Sequence, residues 1–203
     1  MEKGANIDSL DGKGWSPLHM GILNNRLKIV KVLVENGASI TTLNPNGFSP
    51  LTSAIQKDNY AISVYLIEKG VDIHRHDGNG WSSLTMAVSY NILEMTKFLI
   101  CKGANLNQNN PNGYSCLTSA IQKGYNTIVE QLILNGADIN QEDNNMKCPI
   151  QVAIINGRKE VLKLMYERCT ATLKHRYLSG YSPLEYALKH QKFDAFKSIT
   201  IYD

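Results

Sequence analysis

His74 and His76 are the side chains of this chain whose type and spacing come nearest to a metal pair. An His-x-His step can set two imidazoles on one side of a hairpin, with Asp72 or Asp77 nearby. Zinc needs further ligands, and no cysteine or third histidine stands at ligand spacing, so the pair reads as a solvated finger tip. Cys101, Cys116, Cys148 and Cys169 contain no C-x-x-C step and sit in apolar or helical patterns, where a free thiol serves as a small core residue. Their usage implies a reducing compartment, cytoplasmic with the nucleus as alternative. Asp11, Asp77 and Asp143 fall at equivalent places in a pattern described below, where turn formation explains them. No nucleophile–base pair stands out, and the chain holds no G-x-G-x-x-G, phosphate-loop, H-E-x-x-H or G-x-S-x-G motif. The expectation is a non-enzyme with no catalytic residue, no metal and no cofactor.

Composition narrows what could position such residues. The 203 residues are 43% hydrophobic and 19% charged, which suits a soluble globular chain of one or two domains and excludes disordered and fibrous classes. No stretch approaches the ~20 apolar residues of a membrane span, and Met1 to Asp8 has no signal-like apolar region. The net charge of +3 is weak, and it is local: from Gly157 onward Lys and Arg outnumber Asp and Glu nine to five. Neither nucleic acid nor membrane insertion is expected. Asn is frequent, at 20 residues, as a chain with many tight turns requires.

The chain is periodic. Gly14-Trp15-Ser16-Pro17-Leu18 returns as Gly47-Phe48-Ser49-Pro50-Leu51, Gly80-Trp81-Ser82-Ser83-Leu84 and Gly113-Tyr114-Ser115-Cys116-Leu117, each 33 residues on. Met146-Lys147-Cys148-Pro149-Ile150 is a decayed copy at the same step, and Gly180-Tyr181-Ser182-Pro183-Leu184 follows after 34. A second marker keeps the period: Gly4-Ala5-Asn6-Ile7, Gly37-Ala38-Ser39-Ile40, Gly70-Val71-Asp72-Ile73, Gly103-Ala104-Asn105-Leu106 and Gly136-Ala137-Asp138-Ile139. Each unit predicts two helices. Ser16 and Ser49 are N-caps with Pro17 and Pro50 at the first helical position. Leu51, Ala54 and Ile55 then carry helical apolar spacing, and Asp58-Asn59, Gly124 and Gly157 mark a turn. A second helix, with Ile62, Tyr65, Leu66 and Ile67 or Ile128, Leu132 and Ile133, stops at Gly37, Gly70, Gly103 or Gly136. Polar stretches such as Asn107 to Asn112 complete the unit as a hairpin finger.

This pattern resembles the ankyrin repeat, D-x-x-G-x-[TS]-P-L-H-x-A with a G-A-D-V-N tail, over essentially the whole chain. The resemblance implies an all-α solenoid of stacked helix–turn–helix units with β-hairpin or loop fingers, one continuous domain. Residues 1–10 are the tail of a preceding repeat; the repeats run 11–43, 44–76, 77–109, 110–142, 143–176 (degenerate) and 177–203 (a partial C-terminal cap). The family's histidine is present only as His19. Thr52, Thr85 and Thr118 stand in its place elsewhere, which alters an inter-repeat hydrogen bond of the family. Repeat 5 has Met146 for the loop glycine and Cys169 or Thr170 for the helix-ending glycine, with an insertion between about Tyr166 and Leu173. A longer period of 66 also exists: Asn44-Pro45-Asn46-Gly47 with Leu51 to Lys57 returns from Asn110 to Lys123, and Asp11-Gly12 returns as Asp77-Gly78. Either the binding face alternates in chemistry or two repeats duplicated together without selection. Met20, Ile22, Leu27, Ile29, Val30, Val32 and Leu33 give the first full unit no polar capping variant, so further repeats are expected upstream. Lys189, His190, Lys192 and Lys197 look like a cap, although Phe193, Phe196, Ile199 and Ile201 are apolar.

The function implied by the resemblance is a protein–protein interaction module, a scaffold or adaptor holding a partner segment in a concave groove. The alternative is a regulatory or structural arm of a larger enzyme, channel or effector. The family's contact positions fall after the loop glycine on Trp15, Phe48, Trp81, Tyr114, Lys147 and Tyr181, five of six aromatic. This ladder serves either as a set of binding hot spots or as packing of each ring on its own finger. The end of the first helix adds Asn24, Gln56, Lys57, Ser89, Tyr90, Gln122, Lys123 and Asn156, and the finger tips add Lys13, Asn46, Asn79 and Asn112. Arg75 with His74 and His76 makes one finger basic. A monomer is expected, with end-to-end association through the uncapped N-terminal face as the alternative. Ankyrin repeats are also substrates of an asparaginyl hydroxylase that reads a Leu eight residues and an acid two residues before Asn. Leu132, Asp138 and Asn140 match it, and Leu99, Asn105 and Asn107 match in part; otherwise Asn140 only stabilises its hairpin.

Overall fold

The computed structural model describes residues 6–144, 146–169, 180–192, 194 and 197. Among them are eleven helices and no strand, with one isolated antiparallel bridge between Asn109 and Ser115. The chain divides into two compact units, Met1–Met95 and Thr96–Asp203.

In the first unit, α1 (Pro17–Leu23), α3 (Pro50–Gln56) and α5 (Ser83–Ser89) form one layer, α1 against α3 and α3 against α5. Behind it α2 (Leu27–Glu35) packs on α1 and on α4 (Tyr60–Glu68), and α4 packs on α3. The division falls within α6 (Leu93–Cys101). The second unit repeats the plan: α7 (Cys116–Lys123), α9 (Pro149–Ile155) and α11 (Pro183–Lys189) in one layer, α8 (Asn126–Leu134) and α10 (Lys159–Cys169) in the other. Leu18, Ile22, Leu51, Ile55, Ile62 and Leu66 are fully buried in the first, as are Leu117, Ile121, Ile128, Leu132, Ile150 and Leu162 in the second.

The first helices start as their sequence requires. Ser49 Oγ accepts from the Thr52 amide at 3.1 Å, and Thr52 Oγ1 accepts from the Ser49 amide at 3.0 Å. Ser82 with Thr85 and Ser182 with Glu185 close the same reciprocal box. The Thr52, Thr85 and Thr118 hydroxyls also donate to Ser49, Ser82 and Ser115 carbonyls at 3.3, 3.1 and 3.1 Å, so these threonines work inside their own repeat. In repeat 5 Cys148 replaces the serine, and Gln151 Oε1 accepts the Cys148 amide at 3.1 Å.

Between the two helices of repeats 1 to 5 the chain passes through a left-handed residue each time, Asn25, Asp58, Asn91, Gly124 and Gly157, and Gln191 after α11 also has positive φ. The residue after the left-handed one can reach back one repeat. Asn59 Nδ2 donates to the Ile22 carbonyl at 2.7 Å; Arg158 donates to the Ile121 and Gln122 carbonyls at 3.2 and 3.1 Å. Both give a further donor to carbonyls at the end of a short helix, where Ile22 and Ile121 already accept the Asn25 and Gly124 amides. Without a helix-ending glycine, α10 runs for 11 residues where α2, α4, α6 and α8 have 9. The rest of the expected insertion, and residues 193, 196, 199 and 201 of the C-terminal end, lie outside the described residues.

Two expectations need correction or refinement. Cys116 and Cys148 are buried, and burial pushes the Cys116 thiol up to about 12, but Cys101 is exposed. It lies near the C-terminus of α6 on the side away from the buried Met95 and Leu99, so it is no core residue. The side chain of Cys169 lies outside the described residues. In repeat 1, Met20, Ile29 and Val32 are 43%, 51% and 58% exposed.

Met146 occupies the loop-glycine position at φ 56° and is 73% exposed, so its side chain strains the backbone while burying little. Met146→Gly is expected to stabilise the 203-residue chain by about 1 kcal/mol, raising its Tm by about 2–4 °C in a thermal melt.

Candidate functional site

The fingers of repeats 1 to 5 are each built on one Asx residue. Asp11 Oδ1 accepts the amides of Lys13 and Trp15, both at 2.8 Å, while the Asp11 amide donates to the Trp15 carbonyl at 2.9 Å. Asn44 does the same for Asn46 and Phe48, Asp77 for Asn79 and Trp81, and Asn110 for Asn112 and Tyr114. Asp143 Oδ1 accepts the Lys147 amide at 3.0 Å. The Trp15 and Lys13 amides hold the Asp11 carboxyl below its ordinary 3.8. The acidic residues therefore shape turns, and each turn pins the backbone of one ladder residue.

Trp15, Phe48, Trp81, Tyr114 and Tyr181 are all half-buried, and Lys147 is exposed. Some rungs are engaged locally. Trp15 meets His19 edge-on at 6.2 Å between ring centres, and Lys189 lies 4.2 Å over the Tyr181 ring while donating to its hydroxyl at 3.1 Å. At the helix ends Gln56 Nε2 donates to the Tyr90 hydroxyl at 2.8 Å, Lys123 lies 5.9 Å from the Tyr125 ring centre, and Lys57 and Gln122 are exposed. Asn46, Asn79 and Asn112 are exposed at the tips, yet Asn79 Nδ2 donates to the Asn46 carbonyl at 2.7 Å.

Tyr114, Gln122, Lys147 and Asn156 come together around one pocket of about 300 Å³, with Asp143, Val152 and Ile155. A second concavity of about 320 Å³ between α8 and α10 is lined by Glu130, Glu160 and Glu167, where Lys163 pairs with Glu167 at 3.8 Å. A smaller one of about 140 Å³ in the first unit involves Leu43, Leu51, Val71, Arg75 and His76. Among the described residues no three His, Cys, Asp or Glu side chains converge as metal ligands; His74 and His76 are exposed, and the His74 amide donates to Asp72 Oδ1 at 2.8 Å.

The two candidate modification sites differ. Asn107 Oδ1 accepts the Asp138 amide at 2.9 Å, so its carboxamide joins neighbouring fingers. Asn140 is half-buried with its amide on Asp138 Oδ1 at 2.8 Å, and the matching Leu132 is fully buried.

Sequence reasoning missed the links between fingers. The Gly78 amide donates to the Gly47 carbonyl at 2.8 Å, and the Asn144 amide donates to the Gly113 carbonyl at 2.9 Å, the same pair 66 residues on. Asn79 and Asn144 side chains lie where a Cβ at Gly47 or Gly113 would stand, at 2.9 and 2.6 Å. Pro45 and Pro111, at the donor's position in repeats 2 and 4, have no N–H to give.

These features define a helical repeat protein, and the chain belongs to the ankyrin repeat family: a model described as Ankyrin repeats (3 copies) matches residues 1–77, 64–143 and 117–202. No curated protein matches it. Among solved structures it is similar to the ankyrin repeat domain of Bcl-3, a member of the IkappaB protein family, at TM-score 0.86 and 20% identity over 97% of this chain and 87% of that one. An ankyrin repeat domain from Acinetobacter baumannii AYE gives TM-score 0.80 and 23% identity over 92% and 97%. The human ASB11 ankyrin repeat domain gives 0.76 and 23% over 98% and 88%. Such identities carry the fold alone. Ankyrin repeats are generally protein–protein interaction modules and typically non-catalytic. No helix among the described residues is long and apolar enough to cross a membrane.

His19 is fully buried, its Nδ1 3.0 Å from Ser16 Oγ and its Nε2 without a hydrogen bond. Burial holds its pKa below 6.5, the Phe48 backbone opposing. The unfolded histidine takes up its proton near 6.5 and the folded one only at lower pH, so stability falls as pH drops below that value. His19→Thr, which supplies the box of repeats 2 and 3, is expected to reduce the loss of urea midpoint between about pH 7.5 and 5.5.

Proposed function

We propose that this chain binds a protein segment through the face that carries its fingers and first-helix ends, acting as a scaffold or adaptor. The observation that supports this most is the pocket formed by Tyr114, Gln122, Lys147 and Asn156, four residues picked from their repeat positions alone. Around it the chemistry suits recognition: half-exposed rings fixed by Asx turns, with amide side chains beside them. Preorganised aromatics lose little entropy on binding, which is why they dominate hot spots. Phe48, Trp81 and Tyr114 make no ring contact among the described residues, unlike Trp15 and Tyr181. The contact residues of the first unit are therefore Phe48 and Trp81 with Gln56, Lys57, Tyr90, Asn46 and Asn79, and those of the second are Tyr114 with Gln122, Lys123 and Asn112. The face is mostly uncharged, so hydrogen bonds and shape select the partner more than charge does.

Affinity capture from the source cell with the full chain tests this. The double variant Trp81→Ala and Tyr114→Ala is expected to lose the captured partner by about tenfold or more while keeping its helical circular dichroism. Unchanged capture would sink the assignment of the surface.

A further inference from the structure

Repeats 3 and 5 stand one 66-residue period apart, and comparing them shows what the pocket in the second unit lacks. In the first unit, Gln56 at the end of α3 donates to the hydroxyl of Tyr90 at 2.8 Å, so the chain supplies a phenol to that carboxamide itself. In the second unit the carboxamide is kept as Gln122, but Asn156 stands where Tyr90 does and Lys147 where Trp81 does. Both large rings are gone, and about 300 Å³ is open in their place. Asn156 does not fill it, because its Nδ2 is turned back onto the Val152 carbonyl at 2.8 Å.

We propose that this pocket takes a tyrosine side chain from the bound segment, its hydroxyl accepting from Gln122 as the Tyr90 hydroxyl accepts from Gln56. The inference rests on the binding surface proposed above. The lining fits that occupant and disfavours others. Val152, Ile155 and the Tyr114 ring offer apolar contact, and the exposed Lys147 ammonium can approach the face of an aromatic ring. Asp143 and Lys147 share the lining with opposite charges, so a guanidinium or a carboxylate meets a like charge as well as a partner. A neutral ring with one hydrogen-bonding atom meets neither. A phenylalanine would cover the Gln122 carboxamide without giving it an acceptor.

The backbone provides a specific test. Asn156 has φ −88° and ψ 4°, and Tyr90 has φ −98° and ψ 6°, so Asn156→Tyr places a phenol at a position already known to carry one. The full chain, labelled with nitrogen-15, is titrated with N-acetyl-L-tyrosinamide, N-acetyl-L-phenylalaninamide and N-acetyl-L-leucinamide. The tyrosine probe is expected to shift the Gln122 side-chain amide and the Val152 and Ile155 resonances, and to bind about tenfold tighter than the phenylalanine probe. Asn156→Tyr is expected to abolish these shifts while leaving the remaining spectrum folded, and Gln122→Ala to remove the preference for tyrosine over phenylalanine. No shift at Gln122, equal binding of the tyrosine and leucine probes, or persistence of the shifts in Asn156→Tyr would overturn the assignment. Failure of the binding surface reads out separately, as partner capture retained by the Trp81→Ala, Tyr114→Ala variant.

Discussion

The longest helix among the described residues has 11 residues and most have seven or nine, lengths at which an isolated helix does not hold in water. Within each unit they are kept by the apolar faces they lay on the other helix of their repeat and on the equivalent helix of a neighbouring repeat, as α3 does on α4, α1 and α5. Leu18, Leu51 and Leu84 hold one position and Ile22 and Ile55 another, all nearly inaccessible to solvent. Because stability comes from this stacking, every repeat must present its faces at one spacing, and the chain between helices has little freedom. The left-handed residues that follow the first helices are one consequence, and the Asx turns of the fingers are another. Both use residues that tolerate or stabilise a tight backbone, which is where much of the Asn excess goes.

The 66-residue period has a structural counterpart. Gly78 and Asn144 each donate an amide to the finger before, where repeats 2 and 4 carry proline. Fingers 2 and 3 are thus tied by a backbone bond, and so are fingers 4 and 5. The Asn79 and Asn144 side chains close over Gly47 and Gly113 in the same two places. These are the loops that carry Phe48, Trp81 and Tyr114, so the 66-residue period includes a way of holding paired rungs still.

Much of the local architecture was legible because it depends on single residues at fixed offsets. A serine two residues after the loop glycine, a proline after it and a glycine two residues past the end of the second helix each impose one backbone state, whatever surrounds them. The two-stranded hairpins were less so: the Asx turns take over much of the finger's hydrogen bonding, and among the described residues only Asn109 and Ser115 pair as a bridge. Contacts across repeats were not legible either. Asn59 and Arg158 occupy the same repeat position with unrelated side chains, yet both reach the end of the preceding first helix. Periodicity marks the position but not the reach. Cys101 shows the reverse error, since an apolar neighbourhood in sequence says little about which side of a nine-residue helix a thiol occupies.

The ladder itself divides along the same physical line. A ring has one face to spend on its own repeat and one on a partner. Trp15 spends it on His19 and Tyr181 on Lys189, both within a repeat, and these two contacts suit packing better than recognition. Tyr114 differs because the repeat after it lacks the aromatic residues of repeat 3, leaving its neighbourhood open and chemically mixed. Loss of Tyr90 and Trp81 equivalents in a stacked repeat would ordinarily be a cost, since both rings contribute apolar contact. That cost falls in the repeat whose loop glycine is also missing, so repeat 5 departs from its neighbours at a strained turn and at an open pocket together. On the binding role proposed for this pocket, the strained turn at Met146 and the open lining next to it are local stability given up for a surface that a bound segment completes.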